Sequence, residues 1–76
     1  MENAKLYCQT IPENYYSGKR RIALKDIAGK EITGLVPARN KYIEVNVLED
    51  RGDKVFVLLP KGLNKDTAWV NPNYFN

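Results

Sequence analysis

The sequence predicts an all-β fold, a small and partly open barrel of five to six short strands with room for single helical or 3₁₀ turns. Three observations carry this expectation. Ile43, Val45 and Val47 alternate with Glu44 and Asn46, a largely β-branched set with one wet face. Glu49-Asp50-Arg51-Gly52-Asp53 has the composition of a hairpin loop, with Gly52 free to take positive φ, and it leads into the apolar run Val55–Leu59. Finally, Thr67–Val70 forms a third strand signal, and Asn71-Pro72-Asn73 follows it with the residues of a tight or 3₁₀ turn before Tyr74-Phe75.

Composition bounds what such a chain can do. At 76 residues it is expected to be one domain, 1–76, and a chain of this size hides only about 60% of its unfolded surface. With 43% hydrophobic and 28% charged residues it has the makeup of a globular protein. The longest apolar run, Val55–Leu59, is far short of the roughly 18 residues that cross a bilayer. Met1-Glu2-Asn3-Ala4-Lys5 lacks the charged-then-apolar pattern of a secretory signal, so a cytoplasmic location is the default expectation. Cys8 is the single cysteine and there is no histidine. That excludes an internal disulfide, the usual zinc sets and any nucleophile paired with histidine. An enzyme would have to work with carboxylates, Lys, Arg and Tyr alone, and no spacing supports one, so neither an enzyme, a metal nor a cofactor is expected.

The elements follow in order. Leu6-Tyr7-Cys8 fits a short first strand, ended by Ile11-Pro12, and Glu13–Gly18 is a polar loop with Ser17-Gly18 as its turn. Arg21–Lys25 alternates like a half-buried strand, while Asp26-Ile27-Ala28 also suits one helical turn, and Gly29 ends either. Glu31–Leu35 is a weak strand broken at Gly34, and 36–40 is a connector. The run Val55-Phe56-Val57-Leu58-Leu59 is nearly continuous, as in a central strand covered on both faces. Pro60-Lys61-Gly62 closes it and opens a loop through Asp66.

The tail Trp69-Val70-Asn71-Pro72-Asn73-Tyr74-Phe75 resembles the end of an SH3 domain, where an aromatic-aliphatic strand enters a Pro-Ser-Asn-Tyr-like 3₁₀ turn and a last apolar strand. The resemblance implies an SH3-like barrel in which Glu49–Asp53 is the n-Src-type loop, Pro60–Asp66 the distal loop and Pro12–Arg39 an enlarged RT-type loop. Tyr7 would match the tyrosine of the first strand of that family. The sequence departs from the family pattern at the turn, where Asn71-Pro72 displaces the proline by one position. It also lacks the tryptophan at the start of the strand after the n-Src-type loop, where Lys54-Val55 stand, and the acidic RT loop, where Glu13 is followed by Lys19-Arg20-Arg21. The barrel is therefore implied, and the proline-peptide groove is not.

Two residue sets are candidates for binding. Up to Lys41 there are eight Lys/Arg against four acids, a balance of +4, and beyond it four against five, a balance of −1. Tyr15 and Tyr16 beside Lys19, Arg20, Arg21 and Lys25, with Lys41, form a nucleic-acid candidate. Bases stack on rings and cations neutralise phosphates. The same stretch equally fits a solvated loop whose tyrosines pack on the barrel. The second set is Tyr42, Trp69 and Tyr74, an aromatic surface that, or else an open barrel edge, would dock a protein, a peptide or another copy of the chain, against which stands a plain packing role. Glu49, Asp50 and Asp53 lack the spacing of a calcium loop and fit a hairpin turn. The expectation is thus a non-enzymatic binding module whose partner is nucleic acid or, alternatively, protein.

Overall fold

The computed structural model describes residues 2–16, 19–36 and 42–75, with 2 and 9–16 described as backbone only. Seven strands and one 3₁₀ turn follow in order: β1 Glu2–Tyr7, β2 Gln9–Tyr16, β3 Lys19–Lys25, β4 Glu31–Val36, β5 Tyr42–Asp50, β6 Val55–Leu58, β7 Thr67–Val70 and the turn Pro72–Tyr74. They form two antiparallel sheets, ordered β1-β5-β6-β7 and β2-β3-β4. The all-β class agrees with the sequence, but the strand number is one above the expected range and the described residues form no closed barrel.

The extra strand is β2, which passes through Pro12 where the sequence predicts a stop and a loop. Proline has no N–H for a ladder, and pairing skips accordingly. Ile11 opposes Arg21 and the next pair is Tyr15 with Arg20, so the strand continues across a bulge. The choice between strand and helix over 21–28 resolves by position: β3 runs to Lys25, and Asp26–Lys30 is a turn. The predicted turn at Ser17-Gly18 and most of the connector, 37–40, lie outside the described residues.

Gly34 does not break β4. A Cβ built there would lie 2.0 Å from the carbonyl oxygen of Gly62, so glycine is what lets the 60–66 loop cross the strand at this distance. Leu63 bridges Gly34, the Leu35 N–H donates to the Gly62 oxygen at 3.2 Å, and the Asn64 N–H donates to Thr33 O at 3.0 Å. The Asn64 side chain accepts from the Thr33 N–H at 3.1 Å. A loop from one sheet thereby serves as a partial strand on the other.

The sheets share one core of Leu6, Ile43, Val45, Val55, Val57, Leu59, Ala68 and Val70 from the first and Ile22, Leu24, Ile32 and Val36 from the second. β6 is central, yet only Val55 and Val57 are buried, while Phe56 is half-buried and Leu58 exposed. The apolar run therefore signals one covered face, with its other face shaded by neighbouring rings. In β5, Leu48 is an extra residue between the pairs Val47–Val57 and Glu49–Phe56. That bulge puts Glu49 in phase with Phe56 and Trp69 on the outer face.

The turn at Pro72–Tyr74 is built by its sequence. Asn71 accepts the Asn73 N–H on its side chain at 2.8 Å, Pro72 opens the turn where no N–H is needed, and the Tyr74 N–H donates to Asn71 O at 3.1 Å. Phe75 then bridges Leu6 on the edge of β1 opposite β5. No helix among the described residues is long and apolar enough to cross a membrane.

Candidate functional site

The feature with the shape of a site is an open groove of about 550 Å³ where β1 hands over to β2. Tyr7 and Tyr74 stand at it with Cys8, Ala23 and Leu24, and Lys25 and Glu31 lie on its rim. Local structure explains each position. Tyr7 alternates with buried Leu6 and so faces outward, 39% exposed. Tyr74 is carried in by the 3₁₀ turn and packs its inner side against the core. Leu24 is buried, whereas Lys25 and Glu31, paired across β3 and β4, are exposed.

Half-burial governs the chemistry of Cys8. Desolvation pushes its thiol up to about 11, so it is protonated at neutral pH and acts as a small apolar wall. A second aromatic contact adjoins the groove: the rings of Tyr7 and Tyr42 are 5.8 Å apart, and Lys5 lies 4.9 Å over Tyr42.

The protein-binding candidates from the sequence thus divide. Tyr74 lines the groove and Tyr42 adjoins it through Tyr7, whereas Trp69 sits on the outer face of the first sheet near its other end. There its ring is 4.9 Å from that of Phe56, with Lys54 at 4.8 Å and Arg51 at 5.3 Å, so it is half-buried under a local cover. Arg51 also pairs with Glu49, and the Asp50 carboxylate accepts the Gly52 N–H at 2.9 Å, the arrangement of a hairpin turn.

The basic candidates divide as well. Ile22 and Leu24 face the core, so Lys19, Arg21 and Lys25 lie on the outward row of β3 with Ala23, and Arg20 falls on the core-side row, half-buried. Tyr16 stands opposite Lys19 and Tyr15 opposite Arg20 in the backbone ladder, but both side chains, and Lys41 entirely, lie outside the described residues.

Sequence reasoning missed Cys8, Ala23, Leu24 and Glu31 as groove residues. Tyr7 carried a signal through the SH3 resemblance, Tyr74 as part of the aromatic set and Lys25 as part of the basic set. The others meet because β1 crosses into β2 beside the end of β3, a long-range placement that no local spacing encodes.

No family model matches the chain, and neither a curated protein nor a solved structure does.

Proposed function

We propose that this chain is a non-enzymatic binding module on an SH3-like barrel, and that it docks an extended peptide segment of a protein partner in the groove between Tyr7 and Tyr74. Support for the barrel is the order β1-β5-β6-β7, followed by a 3₁₀ turn and the return of Phe75 to β1. In that reading β2 to β4 elaborate the RT-type loop.

The observation that carries the docking is the groove itself. Two aromatic rings face a concave strip of Cys8, Ala23 and Leu24, with one cation and one anion at the rim. Rings offer large contact area, and extended peptides dock in aromatic-lined grooves or along exposed sheet edges.

Selection from a random displayed-peptide library, followed by amide-shift mapping, tests this. The expected result is peptides that shift Tyr7, Cys8, Lys25 and Tyr74 and lose affinity with Tyr74→Ala but not with Trp69→Ala. Recovery of no peptide, or shifts centred on Trp69, would sink the groove reading.

A second reading has its own observation. Lys19, Arg21 and Lys25 share one outward row, and none of the three is in an ion pair among the described residues. Such a row suits the phosphates of a nucleic acid. Fluorescence anisotropy with oligonucleotides across a salt series decides it, since loss of binding with rising salt and with Arg21→Glu is required.

A further inference from the structure

The ladder between β2 and β3 stops before β3 does. Gln9 opposes Ala23, whereas Leu24 and Lys25 have no ladder partner on that edge among the described residues, because the chain leaves at Cys8 for β1. On the opposite edge both stay paired, Leu24 with Ile32 and Lys25 with Glu31.

Antiparallel alternation determines which of the two turns its backbone outward. The Asp26 N–H donates to Lys30 O at 3.0 Å, so Asp26–Lys30 is a hydrogen-bonded pair and Leu24, two residues back, also bonds toward β4. The other edge of β4 agrees with this phase, since Thr33 and Leu35 turn their backbone groups to the 62–64 segment. Lys25 therefore aims its N–H and C=O away from β4, into the short gap between Gln9, opposite Ala23, and Trp69, whose C=O accepts the Ile27 N–H at 2.9 Å, and that gap borders the groove.

We propose that an extended peptide enters antiparallel to β3 and continues the ladder of β2, with an acidic residue opposite Lys25 and an apolar residue on each side of it. This deepens the groove reading and rests on it. The peptide residue opposite Lys25 exchanges two main-chain hydrogen bonds with it and lies on the same outward face as the ammonium. Its neighbours alternate to the opposite face, that of Leu24, at the groove that Tyr7, Cys8 and Tyr74 also line.

Charge favours an acid at the central position. Lys25 is exposed and, among the described residues, in no ion pair, and the whole chain carries +3. Glu31 would lie two strands away from the peptide residue, about 10 Å, where ordinary salt screens most of the repulsion.

Three capped peptides titrated into the full ¹⁵N-labelled chain test the proposal. One has a central Val-Asp-Val, the second has Val-Lys-Val, and the third is the first N-methylated at the aspartate. The first should shift the Lys25 amide together with Tyr7, Cys8 and Tyr74, and the other two should bind about tenfold more weakly or worse, the effect of losing a charged or main-chain hydrogen bond. The Lys25→Glu variant should reverse the preference between aspartate and lysine.

Equal binding of all three peptides at the groove would overturn the strand pairing and leave peptide docking standing. No shift at the groove up to millimolar peptide would overturn both. A Lys25 amide that moves with protein concentration alone would assign the edge to a second copy of the chain and overturn the peptide assignment.

Discussion

Gly34 and Gly62 interlock: a Cβ on the first would lie 2.0 Å from the carbonyl oxygen of the second, and a Cβ on Gly62 would lie 2.2 Å from the carbonyl oxygen of Leu35. Both obstacles are backbone, so a side chain cannot be absorbed by a rotamer change. Gly34→Ala should cost about 3 kcal/mol or more by urea unfolding. Gly52→Ala is the control, because Gly52 has φ +84° but open space around its Cβ position, and it should cost about 1–2 kcal/mol. Equal losses in the two variants would mean the loop does not cross β4 as described.

Asp26 ties the turn after β3 to the loop before β7. Its carboxylate accepts the Lys30 N–H at 2.9 Å and the Ala28 N–H at 3.0 Å, and Lys65 lies 3.4 Å away. The Lys30 hydrogen bond, with Lys65 and Ala28 adding to it, holds the carboxyl below its ordinary value of 3.8. A depressed acid stabilises the fold fully above the unfolded value and loses that contribution as pH falls through the folded one. Asp26→Asn should therefore cost about 1–2 kcal/mol near neutral pH. The gap to the parent chain should close below pH 3.8, as denaturation followed from pH 7 to 2 would reveal. A gap that persists to the lowest pH would count against the role of the charge.

Cys8 should be a slow thiol. Burial raises it from 9.0 to about 11, which leaves roughly a hundredfold less thiolate at neutral pH. Iodoacetamide should alkylate the folded chain about a hundredfold more slowly than the urea-unfolded chain. The rate should climb toward pH 11. Because the folded thiol holds its proton longer, stability should decline as pH rises through 9. Comparable alkylation of folded and unfolded chains would contradict the half-buried position.

Trp69 is the one tryptophan and reports on its own cover. Phe56→Ala removes the ring 4.9 Å away and should cost about 1–2 kcal/mol, with red-shifted emission and stronger acrylamide quenching. Lys54→Ala should cost about 0.5–1 kcal/mol and leave emission nearly unchanged. An emission spectrum insensitive to Phe56 would show that the indole is already open to water.

The elements most legible in the sequence were those set by local pattern. Thr67–Val70 and the 3₁₀ turn fall where Asn71-Pro72 demand them, and the hairpin about Gly52 follows from its turn chemistry. What escaped depended on distant partners. Gly34 looks like a strand breaker until the 60–66 loop is laid across it, and Pro12 looks like a stop until a bulge absorbs it. The apolar run at Val55–Leu59 overstated its cover because Phe56 and Leu58 are shaded or exposed outside the core. The basic cluster was contiguous in sequence, but a strand deals consecutive residues to opposite faces, which separates Arg20 from Arg21. For the groove, its two tyrosines and Lys25 were visible in advance, one tyrosine as a family match, the other in the tail and the lysine in the basic cluster.

The segment at Gly62–Asn64 also has a bearing on the chain in a crowded solution. Unpaired backbone groups along β4 would be an invitation for another molecule to add a strand and begin a stack. Gly62 and Asn64 occupy Thr33 and Leu35 from within the same chain, and Asn64 reaches Glu31 O at 3.4 Å. The loop acts as a stopper on this edge, so lengthening it or replacing Asn64 should show first as a tendency to form fibrils, before any change in what the groove can hold.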